Sequence, residues 1–156
     1  MKYSDRLESP IGTLFIEADE SHLLSVLFAL KEEHETCRLS PNSIVEKCKT
    51  QLQGYFEGQR TEFDLPLRLV GTPFQKQVWN VLLEIPFGET TTYGARAVRS
   101  GHPNAIRAVG AANGKNRIAI IVPCHRVVGA NGKLTGYGGG IERKRWLLEH
   151  ERDLLF

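Results

Sequence analysis

Residues 92–114 read TYGARAVRSGHPNAIRAVGAANG, and this stretch decides the fold of the C-terminal half. Its first threonine can cap a short helix over Tyr93–Arg99, which Ser100-Gly101 ends. Pro103 then opens a second helix that runs to about Asn113-Gly114. Two short helices joined by a tight turn that contains glycine are typical of a helix-turn-helix. We therefore predict a helix-turn-helix here.

The second of these helices is built from unusually small residues. Arg107 stands among five of them, which are Ala105, Ala108, Gly110, Ala111 and Ala112. Small side chains let a helix backbone come close to whatever it packs on. Taken alone, this face is explained best by packing against a neighbouring helix.

The charge of the chain is distributed unevenly. The formal net charge is +2, but residues 1–70 carry 8 Lys and Arg against 12 Asp and Glu, whereas residues 71–156 carry 12 against 6. Residues 92–145 hold ten basic side chains and a single acidic one, Glu142. This density indicates a surface for nucleic acid, and the alternative is a solvated surface with chance clustering.

The rest of the chain predicts two parts, with a boundary around Leu69–Thr72. The N-terminal part, residues 1–70, is a small module of strands and one helix without visible chemistry. Its predicted elements are a hairpin of Leu14–Ala18 and Leu23–Leu30, a helix over Ser43–Phe56 and a strand over Arg60–Leu67.

The C-terminal part, residues 71–156, is predicted to be mostly helical. Thr72-Pro73 with Gln75 begins a helix in the manner of a capping box, and the helix stops before Pro86. The further predicted elements are a strand over Ile118–Val122, a turn over Gly129–Gly132, a flexible loop over Gly136–Gly140 and a helix over Ile141–Arg152.

Composition excludes several classes of protein. A chain of 156 residues forms one domain or at most two small ones, and its longest apolar stretches fall far short of a membrane span. The N-terminus lacks the apolar run of a secretory signal, and three cysteines are an odd number, so we expect a cytoplasmic protein without disulfides. The spacing of His22, His34, Cys37 and Cys48 matches no zinc pattern, so we expect no metal.

Cys124 is the candidate nucleophile. It follows an apolar run between Pro123 and His125, with Arg126 next, and a nearby histidine or cation favours the reactive thiolate. The alternative is a buried structural cysteine at the end of a strand. Core packing explains Cys37 and Cys48 better than reactivity does.

The string Pro123–Val127 and its surroundings resemble the O6-alkylguanine-DNA alkyltransferases. The likeness covers about residues 72–152 in family order and spacing. Its segments are Pro73–Gln75, Trp79, Ile85–Thr90, Tyr93, Arg107–Gly110, Asn116, Pro123–Val128, Gly136-Tyr137, Gly139-Gly140, Lys144, Trp146–Leu148 and Glu151. Alkyltransferase-like proteins have tryptophan in place of the reactive cysteine. Because this chain keeps Cys124, we expect it to be competent for transfer.

The resemblance implies an α+β chain and a specific repair reaction. The N-terminal α/β module would be ribonuclease H-like with antiparallel strands, followed by the mostly helical domain with the helix-turn-helix. An alkyl group, chiefly methyl, would pass once and irreversibly from O6 of guanine in duplex DNA to Cys124. No cofactor is implied, because the nucleophile is also the final acceptor. The resemblance leaves open whether O4-alkylthymine is repaired and which alkyl groups are preferred.

The resemblance also implies roles for single residues. In the catalytic group, Cys124 accepts the alkyl group, His125 takes the thiol proton through a water, Glu151 orients the histidine and Asn116 orients the turn. Tyr93 would lie near the flipped base and its phosphate and help to neutralise O6 as it leaves. For DNA, the second helix would enter the minor groove and Arg107 would fill the space of the extruded base. The other DNA-binding residues would be Tyr93, Ala105, Ala108, Gly110, Arg96 and Lys115, with Arg99 and Arg117 as further phosphate contacts. The base pocket would be formed by Pro123, Val127, Tyr137, Gly138, Gly139 and Lys144.

One position departs from part of the family. Some relatives have serine where this chain has Gly138, so a side-chain hydrogen bond to the base would be absent here. This departure bears on the range of substrates rather than on the activity.

Three other classes remain as alternatives. A transcription factor explains the basic region but leaves the Pro-Cys-His-Arg string unexplained. A non-catalytic protein that recognises lesions would not need Cys124, and a cysteine hydrolase would release its product and turn over. We expect a monomer.

Overall fold

The computed structural model describes residues 2–28 and 40–154. The described chain forms two compact units. The first comprises the residues up to Arg68 together with Arg117–Ala119, and the second comprises Leu69–Asn116 and the residues from Ile120 onward.

The elements follow one another in a mixed order of strands and helices. They are β1 (Tyr3–Ser9), β2 (Gly12–Ala18), β3 (Leu23–Phe28), α1 (Ser43–Phe56), α2 (Pro73–Leu82), β4 (Thr91–Thr92), α3 (Tyr93–Arg99), α4 (Ile106–Gly114), a 3-10 turn (Cys124–Arg126), β5 (Val127–Val128) and α5 (Ile141–Asp153). Strands β4 and β5 pair in parallel through Thr91 with Val127 and Thr92 with Val128.

The first unit contains an antiparallel sheet in the order β1-β2-β3. The predicted hairpin corresponds to β2 and β3, and the last two residues of its second strand, 29 and 30, lie outside the described part. Strand β1 was not predicted, and it pairs with β2 along its whole length, from Tyr3 opposite Ala18 to Ser9 opposite Gly12. The apolar side chains of the sheet and of α1 form the core of this unit.

The predicted strand over Arg60–Leu67 is wrong. This segment forms a single bridge, between Leu67 and Leu23, and its backbone is held instead by a side chain of α1. Gln51 donates to the carbonyl of Asp64 at 3.0 Å and accepts from the amide of Asp64 at 2.9 Å. The backbone groups of Asp64, in the middle of the segment, are thus paired with a glutamine side chain rather than with a neighbouring strand.

The predicted strand over Ile118–Val122 is also wrong. Ile118 bridges Val26 at the edge of β3, and the chain then turns through Ile120, whose φ of 72° is rare for a β-branched residue. The stretch is buried, so its apolar character reports burial rather than strand structure.

Three helices form the framework of the second unit. Thr72 caps α2 as part of a complete capping box with Gln75, and Thr92 caps α3. Val78, Ala97, Val109 and Ala112 pack together from α2, α3 and α4, and the indole of Trp79 donates to the carbonyl of Ala112 at 2.8 Å. The helix-turn-helix is thus confirmed, but α4 begins at Ile106 rather than at Pro103, because Pro103 and Asn104 belong to the turn. Helix α5 ends one residue later than predicted.

Two further observations bear on membranes and metals. Across residues 2–28 and 40–154, every helix lacks the length or the apolar character needed to cross a membrane. The same residues contain no group of three or more His, Cys, Asp or Glu side chains that is arranged to hold a metal ion.

The capping box of α2 yields a prediction of stability. Thr72→Ala should lower the free energy of unfolding by about 1 kcal/mol, because the amide of Gln75 loses its acceptor. Urea unfolding of this variant beside Thr90→Ala, an exposed threonine outside any helix, measures the difference. An equal effect of both substitutions would show that the box contributes nothing.

Candidate active site

Cys124 lies at the start of the 3-10 turn, where two asparagine side chains hold the backbone. Asn116 donates to the carbonyl of Val122 at 2.8 Å, and Asn113 donates to the carbonyl of Cys124 at 3.3 Å. In a strand, these two carbonyls would accept hydrogen bonds from a neighbouring strand. In this turn, the asparagine side chains supply the donors instead. The turn therefore depends on α4 and the residues just after it.

The thiol of Cys124 is buried but polarised. The amide Nδ2 of Asn116 donates to Sγ at 3.2 Å, and the residue is 6% exposed. Burial raises the pKa of Cys124, and the Asn116 hydrogen bond and the nearby Lys144 cation oppose this rise. The thiol therefore keeps its proton at neutral pH, and a base must remove this proton when the sulfur reacts.

His125 is placed to be that base. It is fully buried, and its Nε2 lies 2.7 Å from Oε2 of Glu151. Burial lowers the pKa of His125, and the hydrogen bond and charge of Glu151 only partly restore it, so the imidazole is neutral at pH 7. Because an ionised carboxylate can only accept, Nε2 carries the hydrogen and Nδ1 has the lone pair. Within the described residues, Nδ1 is buried without a hydrogen-bond partner.

Arg126 holds the carboxylate of Glu151 from the other side, whereas the sequence suggested only a cation close to Cys124. Its Nε donates to Oε1 at 2.7 Å, its Nη2 donates to Oε2 at 3.1 Å, and its Nη1 donates to the carbonyl of Ile85 at 2.7 Å. Burial raises the pKa of Glu151, but the hydrogen bonds and charges of His125 and Arg126 outweigh burial and lower it overall. The string Pro-Cys-His-Arg contained this residue, but nothing in the sequence pointed to its partner.

Lys144 is a fully buried cation of the second unit. Its Nζ donates to the carbonyl of Val127 at 2.6 Å and to that of Thr135 at 3.2 Å, and it lies 5.9 Å from the centre of the Tyr93 ring. Burial lowers its pKa, and Cys124 opposes this shift. Lys144 thus joins the residue after the 3-10 turn to the glycine-rich loop.

The remaining candidates for the pocket lie in the turn and in the loop. Pro123 and Val127 are buried beside Cys124, Tyr137 and Gly139 are half-buried, and Gly138 is exposed. Burial raises the pKa of Tyr137 well above its usual range, so its hydroxyl stays protonated. A Cβ atom at Gly138 would meet a single neighbour within 4 Å, the carbonyl oxygen of Gly114 at 3.9 Å.

Some of the residues predicted to contact DNA are exposed, whereas others already bond to groups of the protein itself. Arg107, Ala108 and Lys115 are exposed on or just after α4, and Ala105 and Gly110 are half-buried. In α3, the guanidinium of Arg96 donates to the carbonyl of Val81 at 3.2 Å, and Arg99 pairs with Glu84 at 2.9 Å. The small residues of α4 therefore lie around an exposed arginine. Arg117 is exposed as well, but it belongs to the first unit.

The fold and the site together define a class. A buried thiol is followed by a neutral histidine on a buried carboxylate, and the same unit carries a helix-turn-helix with an exposed arginine. This is the arrangement of a cysteine-dependent group-transfer protein that acts on DNA.

Comparison with known proteins makes the class specific. The family described as 6-O-methylguanine DNA methyltransferase matches through its DNA binding domain at residues 73–153 and through its ribonuclease-like domain at residues 2–69. The chain belongs to this family. It has the corresponding activity, methylated-DNA–protein-cysteine methyltransferase, and acts in DNA repair by alkyl transfer. The resemblance and the fold class predicted from the sequence are thereby confirmed.

Individual relatives are similar over nearly their whole length. The methylated-DNA–protein-cysteine methyltransferase of Mycobacterium tuberculosis is 53% identical over 149 residues, which cover 94% of this chain and 90% of the relative. That of Methanosarcina acetivorans is 51% identical, over 92% of this chain and 94% of the relative. The crystal structure of Mycobacterium tuberculosis OGT in complex with DNA has a TM-score of 0.88 at 50% identity and covers 97% of this chain and 94% of its own.

The buried carboxylate yields a prediction. Glu151→Gln should lower the free energy of unfolding by about 3–5 kcal/mol at pH 7, because it leaves the guanidinium of Arg126 buried without its anion. Glu149→Gln, an exposed residue of the same helix, should change it by less than about 0.5 kcal/mol. Chemical denaturation of the three proteins gives the values.

The same comparison has a pH dependence with a definite sign. Because the folded-state pKa of Glu151 is depressed, its stabilisation is complete above the ordinary value of 4.5 and is lost as the pH falls below it. The stability difference between the native protein and Glu151→Gln should therefore shrink from pH 5 downward. A difference that stays constant down to pH 3 would mean that Glu151 is not held ionised.

Proposed function

We propose that Cys124 is the residue that accepts the alkyl group from O6 of guanine. The observation that carries this proposal is the hydrogen bond from Asn116 to its sulfur, which stabilises the negative charge that a reacting thiolate develops. Cys48 has no such support, since it lies in the core of the first unit, where burial raises its pKa to about 12. Cys37 lies outside the described residues.

His125 removes the thiol proton as the sulfur attacks. Its neutral state and the lone pair on Nδ1 support this role, since a protonated histidine could not accept. The proton passes from Sγ through one water to Nδ1, and Glu151 stabilises the imidazolium that results. Arg126 keeps Glu151 ionised, so this stabilisation is present before the substrate binds.

The reaction exchanges one bond for another. The bond from sulfur to the alkyl carbon forms as the bond from that carbon to O6 breaks, and the electron pair of the broken bond goes to O6. The guanine anion is neutralised by a proton, which balances the one that left the thiol. A thioether cannot be hydrolysed by this site, so each molecule acts once and needs no cofactor.

The substrate is double-stranded DNA, bound through the minor groove by α4. Exposed Arg107 and its small neighbours support this, since a helix of small residues can approach a narrow groove. O6 lies inside the duplex, so the base must be extruded, and Arg107 fills the space it leaves. The solved complex of the Mycobacterium tuberculosis relative with DNA supports DNA as the partner.

The extruded base lies against Tyr93, with Gly136–Gly140 as one wall of its pocket. Tyr93, Ile106, Gly110, Thr135 and Gly136 border a shallow pocket of about 330 Å³. Gly138 has no side chain, so it offers the base no side-chain hydrogen bond. Buried Lys144 holds the residue just before this loop through the carbonyl of Thr135.

The assignment of the two units follows from where these residues lie. Every residue to which we give a catalytic or pocket role belongs to the second unit. Residues 1–70 therefore serve as a structural module, and residues 71–156 carry the activity. We place the protein in the cytoplasm as a monomer.

Replacing the acceptor tests the proposal directly. Cys124→Ser should gain no methyl group from a duplex that contains O6-methylguanine, because serine is far less nucleophilic, and its DNA affinity should stay within a few-fold. The native protein and Cys48→Ser should each gain one methyl group per molecule, as intact mass spectrometry shows. Methyl gain by Cys124→Ser would transfer the acceptor role to Cys37 or Cys48.

Replacing Arg107 tests the proposed extrusion of the base. Arg107→Ala should slow repair of duplex DNA by roughly tenfold or more, and it should leave the reaction with free O6-methylguanine base unchanged, since only the duplex needs unstacking. Lys115→Ala, another exposed cation near the end of α4, should weaken DNA binding without this difference between substrates. Equal slowing of both reactions by Arg107→Ala would place its effect on chemistry or folding.

A further inference from the structure

A hydrogen bond joins Thr135 to Tyr93, and Thr135 has no role in the mechanism given above. Thr135 Oγ1 lies 2.9 Å from the hydroxyl oxygen of Tyr93. Both side chains border the shallow pocket next to Ile106, Gly110 and Gly136. The bond therefore lies at the place where the proposed function puts the extruded base.

The positions of both partners are set by the residues around them. The Nζ atom of Lys144, itself buried, donates to the carbonyl of Thr135 at 3.2 Å and so anchors the threonine backbone. The ring of Tyr93 lies over Gly110, where a Cβ atom would be only 3.7 Å from a ring carbon. These contacts fix the threonine hydroxyl next to the phenol of Tyr93.

The direction of the hydrogen bond matters for chemistry. A phenol has one hydrogen to donate and two lone pairs to accept with. When Thr135 donates to Tyr93, the hydrogen of the phenol stays available for a substrate oxygen, and accepting one bond strengthens the donation of the other. The Nζ atom of Lys144 lies 5.9 Å from the ring centre, so the ring of Tyr93 also contacts a buried cation.

We propose that Thr135 is a positioning residue for alkyl transfer, which orients the Tyr93 hydroxyl so that its hydrogen points at the extruded guanine. This inference rests on the proposed function. As the bond from O6 to carbon breaks and its electron pair moves to O6, the phenol hydrogen bond stabilises the negative charge that develops on the guanine. The thiol proton taken by His125 balances this charge when guanine leaves.

The test is a double-mutant cycle on the rate of methyl transfer at saturating protein. Thr135→Val removes the hydroxyl at nearly constant shape and should slow transfer roughly five- to tenfold, while Tyr93→Phe should slow it by about 10²-fold. The double variant should be no slower than Tyr93→Phe, because the threonine acts only through the phenol. Thr135→Ser should restore the native rate, and Thr61→Val, an exposed threonine of the first unit, should not change it.

A second methyl donor separates this role from a structural one. Iodomethane methylates a thiol without a guanine leaving group, so Thr135→Val should react with it at the native rate. Peptide mass spectrometry reports the modification of Cys124 apart from that of the other cysteines. Equal slowing with iodomethane and with DNA would show that Thr135 acts on the thiol, which overturns the inference.

The remaining outcomes are also decisive. A native rate for Thr135→Val, or effects that multiply in the double variant, would show that Thr135 does not act through Tyr93. Failure of the native protein to gain a methyl group on Cys124 would overturn the proposed function, and the inference with it. If the native protein gains a methyl group on Cys124 but the effects of Thr135→Val and Tyr93→Phe multiply, only the inference about Thr135 is overturned.

Discussion

The rest of the site depends on the hydrogen bonds that Arg126 and His125 make with the buried carboxylate of Glu151. Glu151 is 1% exposed, and a lone carboxylate at that depth would cost several kcal/mol of free energy or would take up a proton. Arg126 and His125, neighbours in the 3-10 turn, supply the hydrogen bonds that keep it ionised. Helix α5 and the turn after Cys124 are thereby tied together, so the catalytic geometry and the packing of the C-terminal helix have a common cause.

This arrangement resolves a conflict between burial and reactivity. Burial raises the pKa of Cys124 and lowers that of His125, so both groups are neutral before the reaction. A resident thiolate would react with any electrophile that reached it. A protonated thiol with a neutral histidine nearby becomes a thiolate only as its proton leaves, and the ionised Glu151 makes that departure favourable. In the proposed mechanism, the sulfur of Cys124 is therefore held in its unreactive, protonated form until the substrate is in place.

The sequence predicted those elements whose signals are local. Helix α2 has a capping box, α3 has a threonine cap, and both were found where the sequence placed them. The strand predicted over Ile118–Val122 failed because a buried turn and a buried strand share the same apolar composition. The asparagines that hold this turn, Asn113 and Asn116, donate to carbonyls 11 and 6 positions further along the chain, and the apolar pattern does not report these bonds. Likewise, the bond of Arg126 to Glu151 spans 25 positions, and no local pattern reports it.

In residues 92–145, the number of basic residues in the sequence is much larger than the number of cations that are free on the surface. Ten cations lie in residues 92–145, but Arg126 and Lys144 are buried and serve the site itself. Arg96 is held on a backbone carbonyl, and acidic partners neutralise two others, Arg99 with Glu84 and Arg145 with Glu142. The high density of basic residues in this segment therefore has two causes. Part of the charge is buried at the proposed catalytic centre, and the exposed remainder, with Arg107 on α4 and Lys115 just after it, is the part that could contact a phosphate backbone.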